Sequence, residues 1–312
     1  MNLRQLETFV RVAELGSFSR AARVLGIAQP ALSRQVRALE TDLRETLLLR
    51  DGRGVRLTEA GQRLFEHGIG ILQLVARARD DIDASRDEPT GRIVVGLPPS
   101  IARPLALPLI DTFKRELPKA RLAIVEGLST HIAEWIATGR VDLGLLHNPD
   151  AQPGLETTPI VEEPLALVSP LGPRRGAPRR PAPLPLRELP AYPLVVPERA
   201  HAIRRLLETQ AARAGLKLHI AWEVSAVPAI IELVAAGHGH AVLTPSAVAQ
   251  SGQGARLALR PIVDPRLTTL LCMAVSATRR PTRLVQHLMQ RLPALVREVA
   301  APTVTASPPM PL

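Results

Sequence analysis

The stretch from Phe18 to Arg37, FSRAARVLGIAQPALSRQVR, constrains this chain more than any other, because it reads as two short helices joined by a tight turn. In the second helix Leu32, Val36, Leu39 and Leu43 recur at the spacing of one apolar stripe of a 3.6-residue helix. At 100° per residue, Pro30, Arg34 and Arg37 fall on the opposite side, with Ala31 and Ser33 on its flanks. That outward face is slim, polar and basic at its N-terminal end. A helix that enters a major groove needs small residues for close approach and donors that reach base edges and phosphates. A plain helical hairpin is the alternative, but it requires no such face.

The surrounding residues extend the pattern. Leu3, Leu6, Phe9, Val10 and Ala13 form a helical stripe, Gly16 ends that helix, and Ser17 can cap the next. After the motif, Leu47 to Arg50 and Val55 to Leu57 flank Asp51-Gly52-Arg53-Gly54, which predicts a β-hairpin wing carrying Arg50, Arg53 and Arg56. Residues 1–57 are therefore expected to form a winged helix-turn-helix domain.

These residues carry a family resemblance. Asn2-Leu3-Arg4-Gln5-Leu6, Phe9, Gly16-Ser17-Phe18, Ala21-Ala22, Leu25, Gln29-Pro30-Ala31-Leu32-Ser33, Leu39-Glu40, Leu47, Arg50 and Leu57-Thr58-Glu59-Ala60-Gly61 resemble the LysR-type transcriptional regulators almost without gaps. The resemblance implies a linker helix followed by an α/β two-lobed effector-binding domain like that of periplasmic solute-binding proteins. Two positions depart from the family pattern. Ala28 stands where Ser is frequent, and an alanine cannot N-cap, at a typical cost of about 1 kcal/mol. Arg44 stands where Gly usually follows the second motif helix. Neither change removes a base-reading residue.

Overall charge is a weaker guide to nucleic acid than it looks. The formal net charge is +10, yet residues 1–57 hold ten arginines against six acids and residues 58–90 four against seven. The remainder lies further on, much of it in Arg174-Arg175, Arg179-Arg180 and Arg187. A chain with 36 Arg and only 3 Lys also fits a biased base composition, so the DNA argument rests on where the charges sit. Cys272 is the only cysteine, which excludes an intramolecular disulfide and Cys-rich metal sites. No apolar run reaches the length of a membrane span, and Arg4, Glu7, Arg11 and Glu14 interrupt the N-terminus, so a cytoplasmic protein is expected.

From Thr58 to Arg86 the pattern is one long helix, with Leu64, Gly68, Ile71, Val75, Ala78 and Ile82 in alternating steps of four and three, close to a coiled-coil seam. Pairing with a second copy is the expected use of that face, and Asp87-Glu88-Pro89-Thr90-Gly91 the expected hinge. Strands and helices then alternate, the signature of parallel α/β layers. Lobe one is expected at about 91–163 and 268–301 and lobe two at about 164–267. The strands Arg260 to Val263 and Thr269 to Val275, with the helix Thr282 to Val299, carry the chain back to lobe one. Pro170 to Pro185 reads as a Pro/Arg-rich loop and residues 302–312 as a disordered tail.

Open α/β sheets bind ligands at the carboxyl ends of their strands, beside helix N-termini. Pro99 with Ser100, Ser129 with Thr130, and His147 with Asn148 occupy such ends in lobe one, and His201, Ser225 with Val227, and Thr244 in lobe two. Each alone is more often a helix cap than a ligand contact, but their recurrence predicts an interlobe cleft. The resemblance places a small effector there, often an organic anion, at positions including Ser100, Ser129, Thr130 and Thr244. Glu126-Gly127-Leu128-Ser129, Glu134-Trp135 and His147-Asn148-Pro149 look most like the nitrogen-assimilation-control branch, whose members do not always need a small ligand.

No HExxH, G-x-S-x-G or P-loop spacing occurs, and Gly237-His238-Gly239-His240 reads as a turn, so no enzyme, cofactor or metal is expected. The expected DNA-binding set is Ser17, Arg20, Gln29, Pro30, Ala31, Ser33, Arg34, Arg37, Arg50, Arg53 and Arg56. By resemblance, the partners are double-stranded DNA, the effector, RNA polymerase and further copies of the chain as a dimer or tetramer, with no membrane. A solute-binding protein without a DNA role leaves residues 1–90 unexplained.

Overall fold

The computed structural model describes residues 1–51, 54–83, 90–171 and 182–300. Helix α1 (Leu3–Leu15) opens on Asn2, whose side chain accepts from the Gln5 N–H while the Gln5 side chain accepts from the Asn2 N–H, each at 2.9 Å. This reciprocal cap satisfies two donors that a first turn leaves free. Gly16 takes a left-handed φ of 59° and ends α1, and Ser17 caps α2 (Phe18–Leu25) by accepting from the Arg20 N–H at 3.3 Å. Helix α3 (Gln29–Leu43) follows. Ala28 offers α3 no side-chain cap, and Arg44 itself adopts the left-handed closing position, with φ 55°.

Strands β1 (Leu48–Asp51) and β2 (Gly54–Leu57) pair antiparallel as the wing, Leu48 opposite Leu57. The turn residues Gly52 and Arg53 lie outside the described residues. Leu6, Phe9, Phe18, Leu32, Leu39 and Leu47 are buried together in the core of this domain. The expected α1 stripe is rotated slightly: Val12 is fully buried, whereas Leu3 is exposed and lines a groove between α1 and the linker helix. Glu40 ties α3 to the wing, accepting the Leu47 and Leu48 N–H groups at 2.9 and 3.1 Å.

Thr58 caps the linker helix α4 (Glu59–Asp83), accepting from the Gly61 N–H at 2.9 Å. The expected coiled-coil seam divides. Leu64 and Ile71 pack on the core of their own winged domain, and Gly68 lies so close to Leu6 and Val10 that a Cβ there would collide with them. Val75 lines the groove, Ala78 is exposed, and the Ile82 side chain lies outside the description. The first half of the stripe thus serves the same chain, because burying it on α1 needs no second copy.

Lobe one starts with β3 (Gly91–Leu97), α5 (Pro99–Glu116), β4 (Ala120–Glu126), α6 (Ser129–Thr138), β5 (Leu143–His147) and β6 (Leu155–Pro164). Lobe two follows with β7 (Ala166–Pro170), β8 (Leu184–Pro185), β9 (Leu194–Val196), α7 (Ala202–Arg213), β10 (Ile220–Glu223), α8 (Val227–Ala235), β11 (Ala241–Leu243), α9 (Pro245–Gln250) and β12 (Leu257–Val263). Strand β13 (Thr268–Ser276) and α10 (Arg283–Ala300) return to lobe one. Its sheet runs β4-β3-β5-β13-β6, with α5 and α10 packed on one face and α6 on the other. Lobe two has the order β11-β7-β12-β8, and the parallel pair β9–β10 joins it through a single bridge between Leu194 and His240.

Three expectations change. The sheets are mixed, since β13 runs antiparallel to β5 and β6, and β11 and β12 run antiparallel to β7. Arg260 to Val263 does not return to lobe one but completes the lobe-two sheet against β7 and β8. Strand β6 was not anticipated, because its polar sequence LETTPIVEEP does not read as a strand. It is an edge strand, where proline and an exposed polar face are tolerated. Residues 84–86 at the end of the expected linker helix, 87–89 of the expected hinge, 172–181 of the Pro/Arg-rich loop and the tail from 301 onward lie outside the described residues.

Glu40→Ala is expected to strip two backbone donors of their acceptor and to destabilise the N-terminal domain by about 1–3 kcal/mol in denaturant unfolding. Glu45→Ala, on an exposed neighbour, is expected to stay within about 0.5 kcal/mol of the wild type.

Candidate DNA-binding face and interlobe cleft

On α3, Gln29, Pro30, Arg34 and Arg37 are exposed, and Ala31 and Ser33 are half-buried beside the core. Ser19 on α2 donates to the Gln29 side chain at 3.0 Å, which holds that amide at the start of the helix. Arg20, Arg34, Arg37 and Arg56 are exposed and make no side-chain hydrogen bond or ion pair among the described residues. Arg50 is different: it lies over the Phe18 ring at 4.0 Å and donates to Ser33 at 2.8 Å. In this state it is laid against the recognition helix rather than extended from the wing. Ser17 is occupied as the α2 cap, and Arg53 is outside the described residues. Although α3 lacks a side-chain cap, Pro30 has no N–H and the Ala31 and Leu32 N–H groups donate to the Ala28 carbonyl at 3.0 and 3.1 Å, so attraction for phosphate on this face rests on the arginines.

The second site lies between the lobes. His147, at the end of β5, has Ser100 Oγ 3.4 Å from Nε2 and Thr269 Oγ1 3.5 Å from Nδ1. Its backbone N–H donates to Ser129 Oγ at 2.9 Å. Asn148, with a left-handed φ of 45°, accepts from the Leu270 N–H at 2.8 Å and donates to Thr269 at 3.2 Å. His201 of lobe two caps α7, accepting from the Ile203 N–H at 3.3 Å. Burial pushes the His147 imidazole down to about 4, and the charge His201 would carry adds to the effect. Burial, with Arg205 nearby, pushes His201 down to about 4 as well. Both rings are neutral at pH 7.

Of the residues expected in the cleft, Ser100, Ser129, His147 and Asn148 converge in lobe one and His201 acts on them from lobe two. Pro99 and Ser100 share a cavity of about 100 Å³ with Val227, Ile231 and Arg103, where the first turns of α5 and α8 meet. Ser129 and Asn148 already brace the strand ends through the bonds above. Thr244 is buried, 3.1 Å from Ser246, and caps α9. Thr130 and Ser225 are exposed and make no side-chain hydrogen bond among the described residues. Reading the sequence missed Thr269, Ser246 and Glu163. Thr269 hides in an apolar strand, and Glu163 lies on the unanticipated β6, opposite Thr269. Burial raises the Glu163 carboxyl above its ordinary range, a hydrogen bond from Ser246 opposing it. Elsewhere, His240 contacts Ser169 at 2.8 Å and the edge of Tyr192. Among the described residues no His, Cys, Asp and Glu group has metal-site geometry, and no helix is long and apolar enough to cross a membrane.

This architecture has known counterparts. Residues 3–62 match the bacterial regulatory helix-turn-helix proteins of the lysR family, and residues 86–297 match the LysR substrate binding domain. The nitrogen assimilation regulatory protein nac of Klebsiella aerogenes is 30% identical over 297 residues, covering 95% of each chain. The HTH-type transcriptional regulator BbuR of Bordetella bronchiseptica is 29% identical, covering 95% of this chain and 90% of that one. Among solved structures, the LysR family regulator CbnR superposes with a TM-score of 0.66 at 25% identity, over 96% of this chain and 99% of that one. Full-length OxyR from Pseudomonas aeruginosa shares the fold at a TM-score of 0.70 and 24% identity, over 99% of both chains. The chain belongs to the LysR family of transcriptional regulators: it is a DNA-binding transcription factor whose C-terminal part is an effector-binding domain.

The cleft histidines have a pH signature. Each titrates near 4 in the folded chain against an ordinary 6.5, so between those values the folded state holds fewer protons than the unfolded one. Their contribution to stability is complete above pH 6.5 and is lost as the pH falls through about 4. The raised Glu163 carboxyl works in the opposite sense, and His240, lowered by burial, adds to the histidine trend. Melting temperature measured from pH 7 to pH 4.5 is expected to fall less in a His147→Gln/His201→Gln double variant than in the wild type. An unchanged slope would place the proton uptake elsewhere.

Proposed function

We propose that this regulator binds promoter DNA as a homodimer, assembled further into a dimer of dimers, with α3 of each pair in successive major grooves. The observation that carries the reading is the exposed face of α3, where Gln29, Pro30, Arg34 and Arg37 stand clear of the core with Arg20 and Arg56 alongside. Gln29, Ser33 and Arg34 reach base edges or adjacent phosphates, and Pro30 and Ala31 approach thymine methyls. Arg20, Arg37, Arg53 and Arg56 hold the backbone, while Ser17 and Arg50 set the helix in place.

Two surfaces support assembly. The groove between α1, α4 and lobe one, about 740 Å³ and lined by Leu3, Val10, Ile69, Leu72 and Val75, takes the partner's linker helix. Leu107 and Ile110 on α5 and Ile220 and Trp222 on β10 expose large apolar side chains and supply the second contact. CbnR has been solved in complex with its target DNA, a precedent on the same fold.

The effector is a small organic anion held between the lobes by Pro99, Ser100, His147, Asn148, His201 and Val227, with Arg103 as the cationic partner in that cavity. Ser129, Thr130, Ser225 and Thr244 shape the strand ends around it. Effector binding alters the angle between lobes, hence the spacing of the DNA-binding pairs and the recruitment of RNA polymerase in the cytoplasm. The output is regulatory rather than enzymatic. The 30% identity to the nitrogen assimilation regulator supports placement near the nitrogen-assimilation-control branch.

The test is binding to genomic fragments, mapped at base resolution at stated salt, with and without candidate anions. Paired, dyad-symmetric footprints whose spacing shifts with one compound are the expected result. Arg34→Ala is expected to weaken operator binding by about 1–3 kcal/mol while leaving binding to unrelated DNA largely unchanged. An equal loss on all sequences would assign Arg34 to phosphate instead.

A further inference from the structure

We propose that a small tetrahedral oxyanion, phosphate or sulfate, binds where the linker helix meets lobe one, in a pocket walled by Arg77, Arg279 and Arg280. The pocket is about 230 Å³ and lies between α4, the end of β13 and the start of α10. That is ample for several waters, and hence for one such ion with part of its solvent.

Charge balance argues for the ion. Among the described side chains Asp142 is the one carboxylate lining this pocket, and both of its oxygens are taken: Oδ1 pairs with Arg77 Nε at 2.6 Å and Oδ2 accepts the Val94 N–H at 2.7 Å. Arg77 also donates to the Gly139 carbonyl at 2.6 Å. Arg279 donates to the Ile136 carbonyl, a neutral acceptor that leaves its charge uncompensated. Its guanidinium is disfavoured by burial first and by Arg77 second, with only partial relief from Asp142. Arg280 stands exposed at the rim with no hydrogen bond or ion pair among the described residues. Among the described side chains, three guanidinium groups therefore face one spent carboxylate.

The helix behind them points the same way. Thr282 caps α10, accepting from the Val285 N–H at 3.4 Å, and both residues line the pocket. This is an 18-residue helix with no acidic residue in its first turn, so its positive end adds to the field of the arginines and nothing in that turn offsets it. Planar guanidinium forks meet phosphate and sulfate oxygens two at a time, which distinguishes such ions from chloride.

The consequence is mechanical. Arg77 belongs to α4, whereas Arg279 and Arg280 belong to lobe one. An ion held by all three joins the helix that carries the DNA-binding domain to the lobe that frames the effector cleft. It therefore stabilises one angle between the two, and by linkage DNA affinity and ion affinity change each other by the same factor.

The test uses the full chain in a buffer free of phosphate and sulfate, titrated with inorganic phosphate, sulfate or chloride at constant ionic strength, with melting temperature and calorimetric binding as readouts. Saturable stabilisation by phosphate or sulfate, absent with chloride, is the expected result. Arg280→Gln, on an exposed side chain with no partner among the described residues, is expected to fold normally, bind unrelated DNA as the wild type does, and weaken the ion at least tenfold. Arg34→Ala/Arg37→Ala, which removes cations from the DNA-binding face, is expected to leave the ion's affinity within twofold. A shift that never saturates, that Arg280→Gln leaves intact, or that vanishes with the Arg34 and Arg37 changes would overturn the proposal. A phosphate arm without a sulfate arm, or the reverse, identifies the ion.

Discussion

The geometry of the chain depends on one helix docking in two places at once. Helix α4 lies against α1 through Gly68, where Leu6 and Val10 leave no room for a Cβ. Two residues on, Gly70 brings it against the Thr138 carbonyl at the end of α6, again at a distance no Cβ would permit. Arg77 then pairs with Asp142, which also holds the Val94 N–H at the neighbouring strand of the sheet. Packing on one side and a half-buried, hydrogen-bonded ion pair on the other make a rigid element common to both domains. Such a pair is valued for the geometry it imposes more than for net stability, since desolvation offsets much of its attraction.

This changes how the long apolar stripe of the linker is understood. A stripe on a seven-turn helix suggests a partner helix along its whole length. Here Leu64, Ile71 and in part Leu72 are already covered by the chain's own winged domain, and what remains open is the groove lined by Leu72 and Val75. The face left open is therefore narrower than the sequence pattern suggests, and α1 as well as α4 lines it.

In the cleft, polar residues do double duty. Ser129 and Asn148 satisfy backbone groups at the ends of β5 and β13, while His147 presents a neutral ring from the middle of the same cluster. A second neutral ring, His201, comes from the other lobe. Two neutral imidazoles can each donate and accept, so they suit a ligand with both kinds of group without setting a net charge of their own. Arg103 and Glu232 both line the adjoining cavity, so the charge beside the rings is mixed.

The N-terminal domain was legible in the sequence because its signals are local. Gly16, Ser17 and Gly26 set helix ends by backbone conformation and short-range caps, and the spacing of Leu32, Val36 and Leu39 sets which face of α3 is buried. The strand ends carrying Ser100, Ser129 and His147 were readable for the same reason, each being a polar residue at the carboxyl end of an apolar strand. What tertiary structure alone decided depends on residues far apart in the chain. Thr269 and Glu163 enter the cleft because β13 and β6 pair across a hundred residues, and β6 is too polar to announce itself as a strand. The pairing of β12 with lobe two rather than lobe one, the stacking of Arg50 on Phe18, and the meeting of Arg77 with Asp142 are likewise products of packing. Local periodicity determines which elements form and which face each one buries; only the closing of the chain on itself determines which element receives that face.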